Sequence, residues 1–135
     1  MTTKPVPDVR ITSFGYLHDA PPPAHLTLDL RAHFRDPHIN PALRELTAHD
    51  QVVVDTVLGT PGIGIVIDAV QGAVLGYLAG PSGSAVTVAI GCAGGRHRAA
   101  AVAAEIACRL QAAGISTQVS HRDIDKPVIN RPTAN

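Results

Sequence analysis

Two stretches near the N-terminus alternate between apolar and polar residues. Val9-Arg10-Ile11-Thr12-Ser13-Phe14 alternates over its first four residues, and Ala24-His25-Leu26-Thr27-Leu28-Asp29-Leu30 places an apolar side chain at every second position, which predicts two β-strands. Between them Gly15 to Ala24 carries Pro21-Pro22-Pro23, whose fixed φ and missing N–H groups impose an extended loop. Arg31 to Pro41 is a polar loop, and Pro41-Ala42-Leu43-Arg44 reads as a short helical turn. A helix beginning near Asp50 runs through Leu58 and is stopped by Gly59-Thr60-Pro61. From 62 to 80 the period changes. Ile63, Val66, Ile67, Val70, Val74, Leu75 and Leu78 recur three and four apart, a helical spacing that persists despite Gly64, Gly72 and Gly76.

Gly80-Pro81-Ser82-Gly83 is a turn, and Ser84 to Ile90 is nearly continuous apolar, the pattern of a buried strand. Ala99 to Ala113 predicts a helix with Val102, Ile106 and Leu110 on its buried stripe, Glu105 and Arg109 as an outward pair, and Gly114 as its stop. Ile115 to Ser120 is the last strand. This order implies one α/β layered domain over 9–125 with a mostly parallel or mixed sheet, between loose tails at 1–8 and 126–135. The strand–helix–strand unit from Ala85 to Ser120 is expected to be parallel and right-handed. Ligands of such sheets sit at the carboxyl ends of the strands.

That edge carries the candidate chemistry. Gly91-Cys92-Ala93-Gly94-Gly95-Arg96-His97-Arg98 joins a strand to a helix through glycines, so backbone N–H groups and the positive helix end can face an anion. Arg96 and Arg98 add guanidinium groups suited to phosphate, and His97 adds a donor. No Walker A motif and no Gly-x-Gly-x-x-Gly is present, so neither nucleotide fingerprint applies. Cys92 and Arg98 do form a Cys-x5-Arg loop, the pattern of cysteine-dependent phosphatases, and a thiol at a helix N-terminus is a candidate nucleophile. Gly91 stands where those enzymes usually carry a histidine, and no general acid is identifiable. Asp29 and Arg31 leave the second strand at the same edge. Asp29 suits sugar hydroxyls or an amine and Arg31 suits phosphate, but for either residue alone an ion pair or a loop cap is the stronger reading. Arg122 follows the last strand to the same edge.

Composition narrows the field. With 45% hydrophobic residues in 135, the chain can bury a core, and with two Phe, two Tyr and no Trp that core must be aliphatic. Eleven Lys and Arg balance eleven Asp and Glu, which argues against strong non-specific RNA binding. The seven histidines (His18, His25, His33, His38, His49, His97, His121) show no helical metal-ligand spacing, so zinc is not expected. Cys92 and Cys108 lie too far apart along turn and helix to bridge, and two reduced thiols without a targeting signal fit the cytoplasm. No apolar run reaches the roughly 18 residues of a membrane span.

The blocks Ser13-Phe14-Gly15, Leu28-Asp29-Leu30-Arg31, Asp36-Pro37-His38, Leu43-Arg44-Glu45-Leu46-Thr47, Ala89 through Arg98 and His121-Arg122-Asp123 together resemble the C-terminal domain of the RapZ family of RNase adapter proteins. The resemblance covers most of the chain. It implies an α/β fold similar to a sugar-phosphate-binding subdomain of phosphofructokinase, and self-association into a homo-oligomer. It also implies glucosamine 6-phosphate as ligand and an RNA or protein partner in a regulatory role. Carried onto this chain, the ligand contacts fall on Asp29, His38, Cys92, Gly94, His97 and Arg98, to which the residues themselves add Arg31, Gly95, Arg96 and Arg122. The family's N-terminal P-loop NTPase domain is not part of this sequence, so no nucleotide hydrolysis and no cofactor are implied. The tail lacks the family's Lys/Arg richness, and Ala99 replaces a hydroxyl residue after the His-Arg pair. The leading expectation is a non-enzymatic binding domain for a phosphorylated small molecule; the alternatives are a phosphatase using Cys92 and Arg98, and an RNA-binding adapter.

Overall fold

A computed structural model describes residues 6–34 and 41–129. Its elements are β1 (Val9–Gly15), β2 (Leu26–Asp29), a 3-10 turn (Pro41–Glu45), α1 (Gln51–Leu58), α2 (Ile63–Leu78), β3 (Val86–Cys92), α3 (Arg98–Ala112) and β4 (Thr117–His121). The four strands form one sheet in the order β2-β3-β1-β4, and every pairing is parallel. The expectation of an α/β domain with a mostly parallel or mixed sheet thus resolves to the fully parallel case.

Boundaries move for local reasons. β3 keeps pairing through Gly91 and Cys92, because Phe14 and Gly15 continue β1 beside them. β4 starts two residues later than the pattern suggests. Gly114, at φ 83°, and Ile115, whose N–H bonds Leu110 O at 3.0 Å, are spent closing α3. β2 shrinks to four residues, although the His25 N–H still reaches Thr87 O at 3.0 Å.

α3 lies across β1, β3 and β4, with α1 and α2 packed on it. The stripe Val102, Ile106 and Leu110 is fully buried, and Ala99, Ala103 and Ala107 beside it let the helix approach the strands closely. Val9, Ile11, Val86, Val88, Ile90 and Cys92 meet it from the sheet. The opposite sheet face has no such cover among the described residues. Arg10, Thr27, Gln118 and Ser120 are exposed there, and Thr12 and Thr87 half-buried. At its carboxyl end that face carries the row Asp29, Gly91 and Phe14, neighbours in register. A Cβ on Gly91 would collide with the Phe14 ring and come within 2.5 Å of Tyr16 Cε2, so glycine is what lets these rings lie on the strand. No single helix among the described residues is long and apolar enough to cross a membrane.

Candidate functional site

The connection from β3 to α3 is curled rather than extended. Gly95 sits at φ 78°, where a side chain would be strained and a Cβ would stand 2.8 Å from Gly15 N. A Cβ on Gly15 would lie 2.5 Å from the carbonyl carbon and oxygen of Gly94, so β1 and the loop touch backbone to backbone. Inside the curl is Cys92 Sγ, which accepts the N–H groups of Gly95 at 3.3 Å and Ala99 at 3.4 Å. Its side chain is buried.

The start of α3 carries no side-chain cap. His97 at the N-cap makes no side-chain capping bond, and the first turn holds no acidic residue. The N–H groups of Gly94, Arg96, His97 and Arg98 have no acceptor among the described residues. Gly94 is half-buried, so its N–H is not sealed in the core.

The basic side chains around this loop fan out. Arg98 donates through Nη1 to Leu30 O at 3.0 Å and Arg31 O at 3.1 Å, which leaves Nε and Nη2 without an acceptor among the described residues. Arg96 turns to the other side, with Nη1 on Lys126 O at 2.7 Å and Nη2 on Glu45 O at 2.8 Å. His97 Nε2 lies 2.6 Å from Leu46 O. Burial holds its pKa below the ordinary histidine value, helped by the Arg96 and Arg98 charges and opposed by the Leu46 carbonyl. Arg122 donates to Ala20 O, Asp19 O and Gly15 O at 2.6, 3.1 and 3.3 Å, and pairs with Asp123.

Asp29 and Arg31 face each other. Asp29 Oδ2 receives Arg31 Nη2 at 2.7 Å, and Oδ1 receives Nε at 3.0 Å and the Arg31 backbone N–H at 2.9 Å. These bonds hold the Asp29 carboxyl below its usual range. The Arg31 guanidinium lies over the Tyr16 ring, 3.5 Å from its centroid.

The family described as the RapZ C-terminal domain matches residues 7–125. The chain belongs to the RapZ C-terminal domain family. A nucleotide-binding protein of Nocardioides sp. is 37% identical over 122 residues, covering 87% of this chain and 40% of that protein. One of Bifidobacterium longum is 40% identical over 121 residues, covering 87% and 37%, and one of Thermobifida fusca is 35% identical over 120 residues, covering 87% and 40%. The chain therefore spans about two fifths of the length of these relatives.

Within this RapZ C-terminal domain, Cys92, Gly94, Gly95 and Arg98 gather around one curled loop, with the His97 backbone at its rim. Arg96 and Arg122 leave that group: their guanidinium groups hold backbone carbonyls of neighbouring loops and do not converge on the curl. Asp29 and Arg31 stand next to it, tied to each other. His38 lies outside the described residues. Tyr16 and Asp123 carry more of the site than their sequence positions suggest. Tyr16 is one of four Phe and Tyr residues in the chain, and Asp123 belongs to the His121-Arg122-Asp123 block but reads only as a tail charge.

Proposed function

We propose that this RapZ C-terminal domain binds a phosphorylated small molecule at the Cys92–Arg98 loop and does not turn it over. The observation that carries the reading is the N-terminus of α3, where no side chain caps the helix and where, among the described residues, backbone N–H groups and the Nε and Nη2 of Arg98 have no acceptor. In this reading the ligand is an amino-sugar phosphate such as glucosamine 6-phosphate, its phosphate taken by the loop and its sugar by Asp29. A regulatory role in the cytoplasm, through a protein or RNA partner and a homo-oligomer, accords with the family. The relatives named above are called nucleotide-binding proteins, so the phosphorylated ligand class extends to nucleotides.

Calorimetric titration of the full chain with glucosamine 6-phosphate and with inorganic phosphate tests this. Saturable heat, weakened at least about tenfold in Arg98→Gln, is expected, as removing a charge-assisted bond of roughly 1.5–3 kcal/mol requires. Absence of heat with both ligands overturns the reading.

The phosphatase alternative is less well supported. An attacking thiolate needs a path to phosphorus, and Cys92 is 2% exposed with its sulfur turned to Gly95 and Ala99. Hydrolysis of a generic phosphate ester that is abolished by Cys92→Ser would reverse that judgement.

A further inference from the structure

Beside the anion loop lies a group of planar side chains that the phosphate reading does not use. Phe14 and Tyr16 meet edge to face, with centroids 4.7 Å apart, over the space left by Gly91. Arg31 covers the Tyr16 ring at 3.5 Å. Its Nε and Nη2 edge is occupied by the Asp29 carboxylate, which fixes the plane of the guanidinium. Of its two planar faces, one is on Tyr16, while 41% of the side chain stays exposed. An edge-paired, half-stacked guanidinium offers its remaining face to another flat π-system.

This platform is joined to the loop. Arg98 reaches from the start of α3 to the carbonyls of Leu30 and Arg31, and the Leu30 N–H bonds Gly91 O at 2.8 Å. Arg98 thus ties the loop to the backbone of the segment that carries Arg31, and its charge acts on Asp29.

We infer that Tyr16, Arg31 and Asp29 form a stacking subsite for the aromatic base of a nucleoside monophosphate whose phosphate occupies the Cys92–Arg98 loop. The inference rests on the anion-loop reading and adds the chemical class of what the phosphate carries. Arg31 acts here as a flat surface held in place by Asp29, which is a different role from contacting phosphate.

The test titrates the full chain with adenosine monophosphate and with ribose 5-phosphate, which differ by the base, following binding by calorimetry and by the amide resonances of Gly94 and Gly95. Stacking of one base contributes roughly 1–3 kcal/mol, so adenosine monophosphate should bind about tenfold tighter or more. Both ligands should move the loop amides. Arg31→Lys keeps the charge and the partner Asp29 but removes the plane, and should collapse the ratio of the two affinities toward one. Equal affinities in the unaltered protein, or a ratio that survives in Arg31→Lys, overturn the stacking subsite and leave the anion loop standing. If neither ligand moves the Gly94 and Gly95 amides, the anion loop itself is refuted and the subsite with it.

Discussion

Asp123, with none of its side chain exposed, accepts the Gly15 N–H at 2.7 Å and so ties the chain just after β4 to the last residue of β1. Burial alone would raise the Asp123 pKa. Arg122, Lys126 at 2.6 Å and the Gly15 N–H overcome that and bring it from 3.8 to about 2. The carboxylate sits behind the loop: a Cβ on Gly95 would stand 3.0 Å from Asp123 Cβ.

The pH dependence follows from that shift. A carboxyl whose pKa is depressed on folding stabilises the protein above its unfolded value, and the contribution is lost as pH falls toward the folded value. Asp123 should therefore supply about 2 kcal/mol that disappears between about pH 4 and pH 2. Urea unfolding of Asp123→Asn near pH 7 should show a loss of that size or somewhat more, and the variant should lack this part of the acid transition. Equal stability of the two proteins at neutral pH would contradict the assignment.

Arg96 gives a second expectation, opposite to what a phosphate contact would give. Its guanidinium bridges Lys126 O and Glu45 O, with Nε buried and unpartnered among the described residues. Arg96→Ala should lower unfolding stability by about 2 kcal/mol, the scale of bonds from a charged donor. Arg96→Lys should recover less than half, because an ammonium group cannot span both carbonyls in the guanidinium plane. A variant with unchanged midpoint in urea but lost anion affinity would put Arg96 in the ligand site instead.

His97 sets the third. Burial lowers its pKa, which favours the neutral ring. An anion on the neighbouring N–H groups favours the protonated ring, so binding should draw in a proton. Sulfate does not titrate in this range and isolates the effect from the ligand's own charge. Its affinity should rise as pH is lowered from about 8 toward the depressed His97 pKa, and the rise should vanish in His97→Ala. A flat profile in the parent protein counts against coupling between this ring and the anion.

Periodicity carried the elements well. The alternation at Val9–Phe14 and Leu26–Asp29 and the three-and-four spacing from Ile63 to Leu78 are local, and local patterns survive folding. The loop was equally readable, since strand, glycines and helix start are contiguous in Gly91–Arg98. What could not be read was the destination of each cation. Arg96 meets residues 30 and 51 positions away, Arg98 meets one 68 away, and Arg122 one 102 away. No spacing rule reaches across such distances, so three arginines that look alike in sequence take different jobs. For Asp29 an ion pair or loop cap is the stronger reading from sequence, and the bidentate pair with Arg31 is the arrangement found. Asp123 was hidden because its burial is created by β1 and the loop, not by its neighbours in the tail.

The fan of arginines has a kinetic corollary. Glu45, Leu30, Ala20 and Lys126, drawn from four separate stretches, must all be in position before Arg96, Arg98 and Arg122 can settle. Contacts of such long sequence separation close slowly. The loop cations therefore settle only once those stretches are placed, and during refolding the recovery of anion affinity should trail the recovery of helical signal.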